Sequence, residues 1–237
     1  MDRPSFEQIS NWIHVDSPYT GFPLSEWPMD LKGFTQNKKF LGALVARVKP
    51  RLAIEVGSYK GTSAILMAEA LKKLPRNPGL ICVDTWLGAR EFWTTEADAG
   101  GWWNQLNMRA EDFRNEHYAA LRLKNGYPQL YYQFLANVLH KQCERYITPY
   151  PQTSVLAGRW FAAHGVRADL IYIDGSHEYD DVVLDLKLYW EILEPGGVLF
   201  GDDYWIGDVQ RAVDEFVAVH GLTLQAEHPY WLVYKPS

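Results

Sequence analysis

The sequence predicts an α/β fold, a doubly wound and mostly parallel sheet with helices on both faces. Strand and helix segments alternate about five times along the chain. The strand segments are continuously apolar, as strands covered on both faces are. A length of 237 residues suits one such domain with an ample core.

Taken in order, residues 1–36 read as an irregular arm or lid rich in Pro and Gly (Pro18, Gly21, Pro23, Pro28, Gly33), with room for short helical turns. A helix is predicted from Gln36 to Val48, stopped by Pro50. Leu52–Val56 (LAIEV) is a short buried strand. Residues 61–74 form a helix with Ala64, Ala68 and Leu71 on one face, ended by Pro75. Gly79–Asp84 (GLICVD) is the next strand. Residues 128–142 are helical, Glu144–Thr148 is a weak strand and Ala157–His164 a short helix. Ala168–Asp174 (ADLIYID) is a strong strand. The helix over 179–193 lines up Val182, Leu186, Tyr189 and Leu193. A Pro195-Gly196 turn introduces the strand Gly197–Asp202 (GVLFGD). Asp208 is placed as the N-cap of a helix through Val219 that buries Val209, Val213 and Phe216. Leu222–Glu227 and Tyr230–Tyr234 close the chain as an antiparallel edge hairpin.

Composition excludes several classes. Apolar residues make up 47% and charged residues 22%, which argues against disorder. No apolar run reaches the roughly 18 residues of a membrane span. The opening MDRPSFEQIS lacks the apolar core of a signal peptide. The net charge of −6 disfavours a broad nucleic-acid or anionic-membrane surface. Cys82 and Cys143 form no disulfide framework and fit a reducing cytoplasm.

In an open parallel sheet, ligands sit beyond the carboxyl ends of the strands. The first stretch found there is Glu55-Val-Gly57-Ser58-Tyr-Lys-Gly61-Thr-Ser63, a strand running through a Gly loop into a helix. Gly57 and Gly61 allow a tight turn, and the helix start offers N–H groups suited to a carboxylate. The spacing is neither G-x-G-x-x-G nor a P-loop, and Ile65 replaces the second Gly of a nucleophile elbow. Taken alone, the stretch is also compatible with an ordinary Gly-rich turn. Asp84 ends the next strand, where an acid can meet ribose hydroxyls or simply shape a turn.

Asp174-Gly-Ser-His177 and Asp202-Asp203 each follow a strong strand. If those strands are neighbours, three carboxylates converge, and unpaired carboxylates repel and raise one another's pKa. A hard divalent cation such as Mg²⁺, Mn²⁺ or Ca²⁺ resolves the conflict. His177 then lies within reach of a substrate hydroxyl as general base. The plainer alternative is that these acids cap the helices that follow. His177-Glu178-Tyr-Asp-Asp181 lacks the second His of a zinc motif.

The order EVGSYKGTS, ICVD, DLIYIDGSHEY and LEPGGVLFGDDY resembles the class I S-adenosylmethionine-dependent methyltransferases. More narrowly, it is similar to the metal-dependent O-methyltransferase branch, which includes catechol, macrolide-sugar and aminocoumarin-sugar types. The likeness runs over residues 37–234. It implies a Rossmann-like seven-stranded sheet with one antiparallel strand. It also implies methyl transfer from S-adenosylmethionine to a hydroxyl of a sugar or other natural product, with Mg²⁺ or another hard divalent cation. Glu55, Gly57, Ser58, Gly61 and Ser63 would hold the methionine part of the cofactor, Asp84 the ribose, and Gln152, Thr153 and Ser154 would lie near the adenine. Metal ligands fall on Asp174, Asp202 and Asp203, with Asp174 also beside the cofactor. His177 stands where the catechol type has a Lys and a macrolide-sugar relative a His. Relatives are often dimers or larger, which implies a homo-oligomer. A catalytically silent cofactor-binding or interaction module on the same fold is the alternative.

Residues 1–36 therefore read as an arm and 37–237 as the methyltransferase domain. Within it, the aromatic-rich insertion 88–143 matches nothing in the family pattern. Trp86, Trp93, Trp102 and Trp103 could line a pocket over the cofactor, Trp86 being placed among the cofactor contacts. Equally, they could form an interface or a satellite core. Gly100-Gly101 hints at a hinge. Cys82, mid-strand, reads as a buried apolar residue.

Overall fold

In the computed structural model, which describes residues 3–32, 38–93 and 116–237, seven strands share one sheet. They are β1 (Leu52–Val56), β2 (Gly79–Asp84), β3 (Ile147–Pro151), β4 (Ala168–Ile173), β5 (Leu193–Gly201), β6 (Gln225–Glu227) and β7 (Tyr230–Tyr234). Their order across the sheet is β3-β2-β1-β4-β5-β7-β6. The first five pair in parallel, and β7 runs antiparallel between β5 and β6. The expected mostly parallel α/β sheet with its closing antiparallel strand is thus observed.

The apolar runs split by alternation, as the two-residue period of a strand requires. Ala53, Leu170, Tyr172, Val198 and Phe200 face one layer. That layer holds α2 (Lys38–Val48), α3 (Thr62–Leu71) and α4 (Leu130–His140). Ile54, Val56, Ile171, Ile173 and Leu199 face the other, built by α1 (Phe6–Ile13), α5 (Ser154–Ala163), α6 (Tyr179–Ile192) and α7 (Gly207–His220). Two cores sandwich the sheet, which fixes the strand ends as a rigid platform.

Several boundaries differ from the sequence reading. β3 lies at Ile147–Pro151, three residues beyond the predicted start at Glu144, because its partner β2 selects that register from Leu80↔Ile147 to Asp84↔Pro151. α5 starts at Ser154, since the Thr153 hydroxyl accepts the Leu156 N–H and caps the helix early. β5 begins at Leu193 and passes through Pro195-Gly196 as an irregularity in its pairing with β4, with no separate turn before it. The N-cap of α7 is Ile206, and Asp208 sits in the first turn, where its charge still favours the helix dipole. The arm is less irregular than expected. Ser5 and Gln8 form a reciprocal capping box that starts α1, and Ile9 is wholly buried on the sheet. Arg3 forks onto Asp169 and reaches Glu194, and Phe6 occupies the space over Gly79.

Candidate active site

The chain turns in opposite senses from β1 and β4, which lie side by side, so the crevice opens between their carboxyl ends. Gly57 sits in that crevice with φ +85°, and a Cβ there would lie 1.9 Å from the Asp174 carbonyl oxygen. Only Gly lets the β1 loop and the β4 loop approach so closely. The turn runs to Gly61 (φ +84°), which opens α3 without a side-chain cap. Its first-turn N–H groups thus have no side-chain cap, the setting in which a helix start can seat an anion.

Behind the turn, Glu55 is fully buried. Its Oε2 accepts the Ser58 hydroxyl at 2.5 Å, and among the described residues Oε1 has no partner. Burial pushes its carboxyl up to about 7, against the pull of the Ser58 hydrogen bond. Ser63 lies in the first turn of α3 and is also buried.

Asp84 spends its oxygens largely on the backbone: Oδ2 accepts Ser58 N at 2.9 Å and Tyr59 N at 2.8 Å, and Oδ1 accepts Trp86 N at 2.7 Å. It fixes the shape of the turn. Trp86 is packed into the core behind the turn. Its indole is 2% exposed, donates to the Tyr59 carbonyl and lies between Tyr131 and Phe134. It supports the turn from the core. Trp93 is half exposed, while Trp102, Trp103 and Gly100-Gly101 lie outside the described residues. Gln152, Thr153 and Ser154 follow β3 at the same end of the sheet, with Gln152 N donating to the Asp84 carbonyl.

The acids do converge. Tyr172 on β4, two residues before Asp174, donates to Asp174 Oδ2 at 2.9 Å and Asp202 Oδ2 at 3.2 Å. Asp202 Oδ1 accepts the Asp203 N–H, and Asp203 Oδ2 meets His177 Nε2 at 2.8 Å. Asp203 itself has φ +58°, a conformation sterically costly outside Gly. Among the described residues, Asp174, His177 and Asp203 bring ligand atoms within 4.8 Å of one another. Asp202 is not in that group, because its carboxylate is turned to Tyr172 and the Asp203 N–H. Burial, then Asp202 and Asp203, hold the Asp174 carboxyl well above its usual range. Burial and Asp203 push Asp202 up to about 7. Carboxylates crowded and partly desolvated in this way suit a divalent cation, with the His177 imidazole beside them. Val182, Val209 and Trp231 complete the hollow around them. Tyr172 was missed in the sequence, although its position in DLIYID gave the needed signal.

Asp185 on α6 is a buried acid outside the cluster. It is 3% exposed, its Oδ1 has no partner among the described residues, and burial pushes it up to about 6. A folded-state pKa above the unfolded value means that the folded chain holds the proton more tightly. Its penalty is absent below about pH 4 and grows as pH rises through 6. Asp185→Asn is expected to remove up to about 3 kcal/mol of this loss. Urea unfolding at pH 4 and pH 7 checks it: the wild type should weaken more than the variant, and parallel pH profiles would refute the assignment.

The family profile described as "Methyltransferase domain" matches residues 54–204. Among solved structures, an O-methyltransferase from Bacillus cereus in complex with SAH superposes with a TM-score of 0.53 at 12% identity, covering 89% of this chain and 86% of that one. TomG, the Streptomyces achromogenes O-methyltransferase of tomaymycin synthesis, in complex with SAM, gives 0.53 at 13% identity, covering 88% and 83%. Cofactor-bound Rv0187 from MTB gives 0.57 at 14% identity, covering 98% of each chain. At these identities the likeness is one of fold. An uncharacterized protein, R132 of Acanthamoeba polyphaga mimivirus, is 39% identical over 54 residues, which is 21% of this chain. The match spans 24% of that relative's length. Among the described residues, no helix is long and apolar enough to cross a membrane.

Proposed function

The chain belongs to the methyltransferase-domain family, and from that premise we propose that it moves a methyl group from S-adenosylmethionine to a hydroxyl of a small molecule, a sugar or another natural product. The observation that carries the reading is the convergence of Asp174, His177 and Asp203 within 4.8 Å beside the Gly57 turn. Residues 37–237 act as the methyltransferase domain and residues 1–36 as its arm.

Glu55, Gly57, Ser58, Gly61 and Ser63 receive the methionine end, Asp84 keeps the turn open towards the ribose, and Gln152, Thr153 and Ser154 border the adenine. The cofactor supplies a methyl group on a positively charged sulfur, open to in-line attack. Asp174, Asp202 and Asp203 would hold a divalent cation, which would supply a lowered pKa and a fixed orientation to an acceptor hydroxyl. His177 takes the proton from that hydroxyl. The Asp203 carboxylate at Nε2 orients the ring and stabilises the imidazolium that results. Much of the rate comes from alignment of oxygen, carbon and sulfur on the rigid strand ends.

Incubation with labelled S-adenosylmethionine and a panel of sugar diols and catechol-like phenols tests the reading. Transfer to at least one hydroxyl supports it. Cofactor binding without transfer to any acceptor favours a silent binding module. His177→Ala should reduce turnover by about 10²–10⁴ and remove the acidic limb of the pH–rate profile. A variant with an unchanged profile has lost no general base.

A further inference from the structure

Lys60 is the fourth residue of the Gly57–Gly61 turn, yet it is only 5% exposed, a rare setting for a lysine. Its ammonium lies 2.7 Å from Asp30 Oδ2 of the arm. Its carbonyl accepts Asn137 Nδ2 at 2.8 Å. Asn137, wholly buried on α4, also donates to the Asp30 carbonyl at 2.7 Å, and its Oδ1 accepts the Asp30 N–H at 2.9 Å. Just past the turn, the Thr62 hydroxyl donates to the Leu31 carbonyl at 3.1 Å. The arm therefore grips the turn through a side chain and through its main chain, and Asn137 ties both to α4. None of these bonds involves the acid cluster, so the proposed chemistry gives no reason for a partly buried ion pair there.

A turn bounded by two glycines pays a large ordering cost if it must take shape only when ligand arrives. We propose that Asp30, Lys60 and Asn137 are positioning residues that hold the Gly57–Gly61 turn in its cofactor-accepting shape, so that docking of the arm and binding of cofactor are coupled. The inference rests on the reading of that turn as the cofactor seat. Coupling of this kind is reciprocal. Breaking the Asp30–Lys60 link weakens cofactor binding, and bound cofactor secures the arm.

The test uses the full chain and S-adenosylhomocysteine as the probe, in titration calorimetry on the wild type, Asp30→Asn, Lys60→Met and the double variant. Each single substitution is expected to weaken binding about tenfold, within the usual range of coupling between sites. The double variant should be no weaker than the worse single one, because both remove the same link. In turnover, the change should fall on the cofactor KM more than on kcat. In the wild type, hydrogen exchange at the Asp30 amide, which donates to Asn137, should slow about threefold or more when the probe binds. A folded Asp30→Asn with wild-type affinity overturns the proposal. If that variant does not fold, the exchange measurement decides, and an Asp30 amide indifferent to the probe overturns it. A wild type that binds no probe overturns this proposal together with the cofactor seat. Wild-type binding with unaffected variants overturns this proposal alone.

Discussion

Gly57→Ala is expected to abolish S-adenosylhomocysteine binding and to cost about 4 kcal/mol or more of stability, in the range reached only by severe core defects. Two independent penalties add. The backbone stands at φ +85°, where a Cβ is strained whatever the space around it. The added carbon would also sit 1.9 Å from the Asp174 carbonyl oxygen and 2.7 Å from the Gly175 Cα. Both obstacles are backbone, in a loop held by the Asp174 N–H to Val56 carbonyl bond at 2.8 Å, so neither can swing away. Gly61 provides the control. It has nearly the same φ, +84°, but its closest neighbour is the Phe134 ring at 2.9 Å, a side chain able to shift. Gly61→Ala should therefore cost about 1–2 kcal/mol, mostly from the backbone conformation. Urea unfolding of the two variants checks the contrast. A Gly57→Ala protein within about 1 kcal/mol of the wild type would show that the β1 and β4 loops are not locked together.

That locked approach was only partly legible in the sequence. Gly57 and Gly61 announced a tight turn, and the run DLIYID followed by LFGDD announced acids at strand ends. What brings them together is the adjacency of β1, β4 and β5, which pairing between distant segments decides. Asp84 and Trp86 show the limit more sharply. Both stand where ligand contacts are plausible, and their types do not tell that three backbone N–H groups also bond the carboxylate or that aromatic neighbours pack against the indole. Residue type cannot reveal how many backbone groups a polar atom already serves. The arm carried a readable signal, the Ser5–Gln8 box ahead of Ile9, which its Pro and Gly content masked. β3 runs on through ITPYP in register with β2, and its two prolines are tolerable on an edge strand bonded on one side only.

Asp174→Asn is expected to lower turnover by at least about 10³, as loss of several kcal/mol of cation-assisted stabilisation implies, while making the cation-free protein more stable. The two effects have one cause. In the folded chain the Asp174 carboxyl is held well above its usual range by burial and by Asp202 and Asp203, so its ionised form opposes folding. An amide of the same shape keeps the hydrogen bond from Tyr172 and removes the repulsion. Catalytic clusters commonly sacrifice stability in this way. In the presence of a chelator, the variant should melt above the wild type. Adding Mn²⁺ should raise the wild-type melting temperature and leave the variant nearly unmoved, because a ligand stabilises only the state that binds it. Paramagnetic titration of free Mn²⁺ provides a readout independent of turnover, with binding lost in Asp174→Asn. A wild type whose methyl transfer and melting ignore both chelator and Mn²⁺ would leave the crowded carboxylates without a cation, and His177 would then have to activate the acceptor with Asp203 alone.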